Sequence, residues 1–178
     1  ERMGDDFDKA VHLLGKSAGK IVVTGVGKSA HIAAKIAATL NSTGSSAMFL
    51  HAGEALHGDL GAVQQGDVVV CLSKSGRSDE VTQLLPSLAQ RSCPLVALTA
   101  DPGSPLGTAA SVVLDVSVPE EACPLDLAPT TSTTLQLAMG DALAVALMAA
   151  NAFQAKDFAA NHPAGSLGKK LTWTLASL

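Results

Sequence analysis

The feature that most constrains the fold is an apolar segment followed by serines and then by a helical pattern. Residues 68–72 form a continuous, mostly β-branched run of strand length, which is typical of a parallel strand buried on both faces. Ser73, Ser75 and Ser78 follow it, with Gly76 among them. Next come apolar residues at the spacing of an amphipathic helix, namely Val81, Leu84, Leu85 and Leu88. The order strand, serine loop, helix predicts a central strand of an α/β sheet.

The serine loop is a candidate anion site. It places three hydroxyls and several free backbone N–H groups at a helix N-terminus, where unpaired donors and partial positive charge favour an anion such as phosphate. Gly76 is expected to let the backbone approach the ligand closely. The alternative is that Ser78 only caps the helix while the other serines occupy a turn. Three hydroxyls in one loop favour the anion site.

The rest of the chain repeats the alternation of strand and helix. Further strands are predicted at residues 20–24, 46–50, 94–99 and 111–116, and helices at residues 5–14, 79–91 and 135–150 and over the apolar stripe Ile32, Ile36 and Leu40. The pattern predicts an α/β fold, a three-layer α-β-α sandwich with a five-stranded parallel sheet of flavodoxin-like or Rossmann-like type. Residues 1–178 fit one domain. Ligands bind such sheets at the carboxyl ends of strands, so loops 25–29 and 73–78 are expected to meet there.

Composition excludes several classes of partner. Aromatic residues make up only 3% of the chain, so the stacking platforms of single-strand nucleic-acid binders are missing. A net charge of −4 argues against a nucleic-acid or anionic-membrane partner, because no basic patch is visible in the sequence. Residues 135–150 carry Gly140 and Asp141 and are too short to span a bilayer comfortably, so a buried helix is expected.

The cysteines and the N-terminus indicate a cytoplasmic protein. Cys71, Cys93 and Cys123 are odd in number and far apart, which predicts reduced, small core residues rather than disulfides or a zinc site. No signal peptide is recognised at Glu1.

The first strand leads into a glycine-containing loop that fits two nucleotide motifs incompletely. Gly25-x-Gly27-x-x-Ala30 satisfies a loose dinucleotide fingerprint, but no ribose-binding acid follows the second strand. A P-loop fails because Val22 stands where its first glycine belongs. Lys28 is expected to steer a phosphate or an oxyanion; its alternative is a solvated lysine in the first helical turn.

Two acids and two histidines remain as candidates for chemistry. Glu80 lies in a first helical turn, where a carboxylate also has a structural role. Glu121 begins a long polar loop after the last strand and is expected to be partly desolvated, with its pKa tuned for proton transfer as a base. Neighbouring Glu120 is the alternative candidate and is expected to be solvated. His57 and His162 lack metal-ligand spacing, so no required metal is predicted. Residues 130–134 are expected to supply hydroxyl caps for the long helix.

Together these motifs resemble the sugar isomerase (SIS) domain of D-arabinose-5-phosphate isomerases. The resemblance runs from about Asp5 to Leu171. It is carried by Gly25-Val-Gly-Lys-Ser29, His51-x-x-Glu-x-x-His-Gly-Asp59, Ser73-Lys-Ser-Gly-x-Ser78, Glu121-Ala-Cys-Pro-x-x-Leu-Ala-Pro-Thr130-x-Ser-Thr-Thr134, Gly140-Asp-Ala-Leu-Ala144 and His162-Pro-x-Gly165. The pair of CBS modules that usually follows this domain in the family is absent from the sequence.

The resemblance implies cofactor-free interconversion of D-ribulose 5-phosphate and D-arabinose 5-phosphate, which supplies Kdo for lipopolysaccharide. It places catalysis on Lys28, Glu80, Glu121 and His162. It places substrate binding on Gly27, Ser29, His57, Ser73, Ser75, Gly76, Ser78 and Thr130. His162 comes late in the chain and is expected to complete the site of a partner in a homodimer or homotetramer. The alternative function is a non-catalytic sugar-phosphate sensor built on the same fold.

Overall fold

The computed structural model describes residues 4–163 and contains one parallel sheet. The strands lie in the order β2-β1-β3-β4-β5. Their bounds are β1 (Ile21–Gly25), β2 (Ala47–His51), β3 (Val68–Leu72), β4 (Leu95–Thr99) and β5 (Val112–Asp115). The central strands β1, β3 and β4 are buried along their whole length, as their continuous apolar sequences require. The predicted five-stranded parallel sheet is confirmed.

Seven α-helices occur in the described residues. They are α1 (Asp5–Gly15), α2 (Gly27–Ser42), α3 (Ala52–Ala55), α4 (Asp79–Gln90), α5 (Pro105–Ala109), α6 (Thr131–Ala150) and α7 (Ala155–Asn161). The sequence did not predict α3, α5 or α7, which are too short for a clear helical period. Helix α5 is instead stabilised by its N-terminal cap. Ser104 Oγ accepts the Gly107 N–H at 3.1 Å, and Pro105 is the first residue of the helix. Gly165 and the segment 167–171 singled out in the sequence lie outside the described residues.

Helices cover both faces of the sheet, so the fold has three layers. Successive side chains of a strand point to opposite faces, and Val22 and Val23 of β1 are both fully buried. Helices α1, α2 and α6 pack with Val23 on one face. Helices α3, α4 and α5 pack with Val22 on the other face. The three-layer α-β-α sandwich predicted from the sequence is therefore confirmed.

Helix α6 is buried on one face only. Its buried residues are Ser132, Gln136, Met139, Gly140, Leu143, Ala144 and Leu147. The opposite face is apolar but open, with Val145 60% exposed. The buried helix expected from the sequence is therefore buried on one side within this chain, because the sheet and its helices cover only that side. By length and composition α6 could cross a membrane, but its buried face packs on α2 and α1 as a core helix does.

The strand order reverses between β1 and β3. After β1 the chain goes to β2 at one edge of the sheet, and it then returns to β3 on the other side of β1. Gly25 is the register partner of Leu72, so the two strands end at the same level. The loops that follow them consequently begin side by side. Open α/β sheets bind ligands at such switch points.

We expect Gly140→Ala to weaken the packing of α6 on α2. A Cβ at position 140 would lie 2.2 Å from Ile36 Cδ1 and 2.4 Å from Cγ1, and buried Ile36 has little room to move. Overpacking costs about 1–3 kcal/mol of folding free energy, and contacts this short favour the upper end of that range. Alanine stabilises a helix by roughly 1 kcal/mol relative to glycine. The overpacking cost is the larger, so we expect a net loss of stability. Urea unfolding measures the loss. In an Ile36→Ala background the same change should cost nothing, and an equal loss in both backgrounds would contradict the contact.

Candidate active site

A cavity of about 220 Å³ opens at the carboxyl ends of β1 and β3. Its walls are the loops after these strands and the start of α6. The predicted site residues that line it are Lys28, Ser29, Ser73, Ser75 and Ser78. Lys74, Ser132 and Thr133 also line it, although the sequence analysis did not select them for the site. The two loops predicted to share one edge of the sheet are therefore brought together.

The hydroxyls of the three predicted serines make hydrogen bonds or close contacts with other groups of the same loop. Ser73 Oγ accepts the Gly76 N–H at 3.1 Å and lies 3.3 Å from Ser78 Oγ. Ser75 Oγ accepts the Arg77 N–H at 3.2 Å. Ser78 is the N-cap residue of α4, yet its side chain makes no capping hydrogen bond. The alternative is thus wrong for Ser78, which does not cap the helix and lines the cavity, whereas Ser73 and Ser75 do hold the turn as that alternative expected.

Gly76 has a packing role that the sequence analysis did not predict, and its approach to a ligand stays a prediction. Its φ of +64° lies in the left-handed region, and a Cβ there would fall 2.0 Å from Ser104 Oγ. Its N–H is already bonded to Ser73. Glycine is thus required for close packing against Ser104 inside the protein, and Gly76 is not among the residues that line the cavity.

Two helix N-termini open onto the cavity without a side-chain cap. Helix α2 begins after Val26 and α4 begins after Ser78, and neither N-cap residue supplies a capping hydrogen bond. Thr82 donates the first backbone hydrogen bond of α4, to Ser78 O at 2.9 Å. The N–H groups of the preceding first turn therefore point out of the helix without a backbone acceptor. Two such termini beside hydroxyls form a site that attracts an anion.

The third helix at the cavity, α6, is closed by the carboxylate of Glu121. Glu121 Oε2 accepts the N–H groups of Thr130 at 2.8 Å and Ser132 at 3.1 Å, and Lys74 Nζ lies 2.7 Å from Oε1. The predicted hydroxyl caps from residues 130–134 are therefore wrong. The hydroxyls of Thr133 and Thr134 instead donate to Thr130 O. A carboxylate satisfies two backbone donors at once and carries the charge that a helix N-terminus favours, so it displaces weaker hydroxyl caps.

The side chain of Glu121 is only 2% exposed. Burial, the largest influence, raises the pKa of this carboxyl, but the hydrogen bonds from Lys74, Ser132 and Thr130 together outweigh it and hold the pKa well below its usual range. The predicted desolvation is present, yet both oxygens are engaged. In this arrangement Glu121 is a structural carboxylate, and its use as a base stays a prediction.

Other predicted residues lie beside the cavity or away from it. Lys28 and Ser29 open α2, and Ser29 Oγ donates to Gln136 Oε1 of α6 at 3.1 Å. Gly27, His57, Glu80 and Thr130 are not among the lining residues. Thr130 instead bonds to Glu121. Their roles toward a substrate stay predictions.

His162 lies at the opposite end of the molecule from the cavity. It follows α7, whose Asn161 Nδ2 donates to Asn41 O at 3.3 Å in the last turn of α2. Helix α2 has 16 residues and so runs about 24 Å from Lys28 at the cavity to that turn. The imidazole stacks on Phe158 at 3.9 Å, and its Nδ1 lies 2.8 Å from Phe158 O. His162 therefore does not reach the cavity of its own chain.

A larger cavity, about 550 Å³, lies elsewhere, along the edge strand β2. It is lined by Phe49, His51, Glu54 and Asp59 among others. We place the candidate site in the smaller cavity because the uncapped helix N-termini and the clustered hydroxyls converge there, at the switch point of the sheet.

The described residues contain no group of three or more His, Cys, Asp or Glu side chains that could hold a metal ion. Independence from metal stays a prediction.

The thiols of Cys71 and Cys93 are buried, and burial raises the pKa of Cys71 to about 12. Cys123 is not the core residue that was expected, since it lies partly exposed in the loop that carries Glu121.

Stability should depend on Glu121 in a pH-sensitive way. We expect Glu121→Gln to cost about 1.5–3 kcal/mol at pH 7, the value of a hydrogen bond to a charged group. Because folding lowers the pKa of this group, its stabilisation is full above the unfolded value of about 4.5 and declines as the pH falls below it. The stability difference between wild type and variant should narrow from pH 5 towards lower pH in urea unfolding. Exposed Glu120→Gln is the matched control, and an equal effect there would refute the assignment.

Comparison with known proteins places the chain in a family. A family model described as the SIS domain matches residues 16–146. Arabinose 5-phosphate isomerase GutQ of Escherichia coli K12 is 54% identical over 171 residues, covering 96% of this chain and 53% of the relative. Arabinose 5-phosphate isomerase KdsD of Pseudomonas aeruginosa is 53% identical over 170 residues, covering 96% of this chain and 52% of the relative. The chain thus spans about half the length of these curated relatives.

Solved structures agree with this match. The E. coli CFT073 protein c3406, in complex with arabinose 5-phosphate, superimposes with a TM-score of 0.87 at 41% identity and covers 89% of this chain and 84% of its own. A phosphosugar isomerase described as putative and involved in capsule formation, from Bacteroides fragilis, gives a TM-score of 0.86 at 36% identity, with coverage of 89% and 86%. The chain belongs to the SIS domain family.

Proposed function

We propose that the protein is an aldose–ketose isomerase that interconverts D-ribulose 5-phosphate and D-arabinose 5-phosphate through an enediol. The observation that carries the proposal is the cavity at the switch point, where three serine hydroxyls, two uncapped helix N-termini and Lys28 surround one volume beside a buried carboxylate. Neutral hydroxyls and backbone donors suit a phosphate dianion. The names of the relatives GutQ and KdsD support the choice of sugar.

The phosphate end of the substrate supplies binding energy without taking part in the reaction. Held by the loop of Ser73, Ser75 and Ser78, it fixes how far the reacting carbons lie from the cavity wall. A single base then has to move one proton between C1 and C2. Lys28, in the first turn of α2, is suited to stabilise the negative charge that develops on the enediolate oxygens.

We assign the proton transfer to Glu121 and an orienting role to Glu80. Glu121 is the carboxylate joined directly to a residue of the cavity wall, Lys74. Glu80 lies in the first turn of α4, beside the serine loop. An enediol mechanism requires neither cofactor nor metal, and we expect none to be needed.

We propose that His162 acts in the site of a neighbouring copy. Its place at the far end of α2 keeps it from its own cavity, while the open apolar face of α6 around Val145 offers a surface for self-association. A homodimer or homotetramer would bring the imidazole to a partner's cavity. Its role there is the proton transfer that opens the arabinose 5-phosphate ring, a step for which an imidazole can act as both acid and base.

The cellular role follows from the same reaction. Arabinose 5-phosphate would supply Kdo for lipopolysaccharide, and we place the enzyme in the cytoplasm with its phosphorylated pentose.

The reaction can be tested with NMR. Incubation with D-ribulose 5-phosphate in deuterium oxide should give D-arabinose 5-phosphate with deuterium at C2, because the proton taken from C1 exchanges with solvent before it is returned. Turnover should survive dialysis against a chelator. Binding of the sugar phosphate without turnover would favour the sensor, and turnover lost on chelation and restored by one divalent metal would refute the metal-free mechanism.

Sharing of the site can be tested by mixing inactive variants. His162→Ala subunits keep Glu121, and Glu121→Gln subunits keep His162, so one of the two sites in a mixed dimer regains both groups. Random exchange should restore about a quarter of wild-type turnover in a dimer with two shared sites. Far-UV circular dichroism must first show that both variants are folded. If verified exchange gives no activity above either parent, His162 does not act across the interface.

A further inference from the structure

Lys74 joins the anion-binding loop to Glu121. It lies between Ser73 and Ser75 and lines the cavity, and its Nζ is 2.7 Å from Glu121 Oε1. The Lys74 side chain is 44% exposed, whereas that of Glu121 is 2% exposed. Lys74 is thus a cavity-lining residue whose partly exposed ammonium is paired with a buried carboxylate. While it stays there, Oε1 is not available to accept a proton from a substrate.

The backbone of Lys74 is fixed, but its ammonium is not. Lys74 O accepts hydrogen bonds from Thr99 Oγ1 at 3.2 Å and from Ala100 N at 2.9 Å. The half-exposed side chain has four methylene groups and a compact charge, so Nζ can move while the loop stays in place. Glu121 Oε2 would keep its bonds to the N–H groups of Thr130 and Ser132. Moving the ammonium therefore leaves no buried charge without donors, which keeps the cost small.

A phosphate in the cavity competes for this ammonium. A phosphate dianion carries twice the charge of the carboxylate and would lie among Ser73, Ser75 and Ser78, on the same loop as Lys74. Opposite charges at contact distance attract in proportion to their product, so the bound dianion is the stronger partner for Nζ. The pKa of Glu121 then rises, because burial still raises it and the hydrogen bond from Lys74, which lowered it, has been lost.

We propose that binding of the substrate phosphate moves the Lys74 ammonium from Glu121 Oε1 to the phosphate and so makes Glu121 available as the base. The inference deepens the proposed function and rests on it. Lys74 is in this view a positioning residue, which couples occupation of the phosphate site to proton transfer at the other end of the sugar. A sugar without phosphate would leave Glu121 paired and inactive.

The other charged groups near Glu121 cannot replace Lys74. Asp126, in the same loop as Glu121, is an acid that accepts the Glu121 backbone N–H at 2.7 Å. Lys28 reaches the cavity from α2 but forms no ion pair with Glu121 among the residues described. Arg77, in the serine loop, is paired with Asp101 at 2.8 Å. Glu120 is exposed and of the same charge as Glu121.

The first test uses D-ribulose, which lacks the phosphate, with sulfate as a separate dianion. Sulfate should accelerate solvent-deuterium exchange of D-ribulose in the wild type. Lys74→Met should raise the sulfate-free exchange several-fold, because removal of the ammonium frees Glu121 Oε1, and should abolish the response to sulfate. With ribulose 5-phosphate the same variant should keep kcat within a few-fold while KM rises at least about tenfold, because one charged contact to the phosphate is lost.

Arg77→Met is the matched control, because it removes a cation from the same loop without contacting Glu121. It should preserve activation by sulfate. Lys74→Gln, which keeps a neutral donor, serves if Lys74→Met does not fold. If Lys74 were only a clamp for the loop of Glu121, either Lys74 variant would lower kcat for both sugars, and that result would overturn the inference. An unchanged sulfate response in the Lys74 variants would also overturn it.

A second measurement does not depend on turnover. The ¹⁵N signal of the Lys74 ammonium, identified by its loss in Lys74→Met, should shift with sulfate in parallel with the backbone signals of Ser73, Ser75 and Ser78. A shift of the serine signals alone, with the ammonium unchanged, would show that Lys74 stays on Glu121 and would refute the proposal. If the wild type does not isomerise ribulose 5-phosphate, the proposed function fails, and this titration still decides whether an anion moves Lys74.

Discussion

The structure around the cavity depends on one buried carboxylate, that of Glu121. It joins three segments that are distant in sequence, namely its own loop, the start of α6 at Thr130 and Ser132, and Lys74 of the serine loop. Charge-assisted hydrogen bonds are stronger than neutral ones, and they are strongest away from water. The long loop after β5 contains no regular structure, so hydrogen bonds such as those of the Glu121 carboxylate hold it rather than a helix or strand.

The three helices that begin at the cavity differ in how their N-termini are satisfied. Helix α6 receives an anion from the protein itself, whereas α2 and α4 begin without a side-chain cap. An unsatisfied terminus is a cost in the empty protein and a source of affinity when an anion arrives. In the proposed function this difference would direct the substrate phosphate to the side of the cavity formed by the loops after β1 and β3, away from Glu121. Separation of the two negative charges is a condition for both to be held in one small volume.

The same contacts that stabilise Glu121 oppose its use in proton transfer. A carboxylate with both oxygens engaged and a lowered pKa holds its loop firmly, but it is a weak base. A protein that needs both properties must change the surroundings of the carboxylate when substrate binds. The half-exposed ammonium of Lys74 is the part of this arrangement that can move, since the backbone donors of α6 are fixed by the helix. In the proposed mechanism, Glu121 would stabilise its loop before substrate binds and would act as a base only afterwards.

The amino-acid sequence determined the fold and the position of the serine loop at the edge of the sheet. Buried β-branched runs such as residues 68–72 and the helical spacing after Ser78 are local signals, and the alternation of such segments leaves a parallel sheet with ligands at the strand ends. What the sequence left open was decided by contacts between distant segments. Lys74 and Glu121 are 47 residues apart, Gly76 packs against Ser104, and α7 lies at the far end of α2 and takes His162 away from the cavity. No local pattern encodes these partners, because a side chain's hydrogen bonds and pKa depend on which surfaces the folded chain brings together.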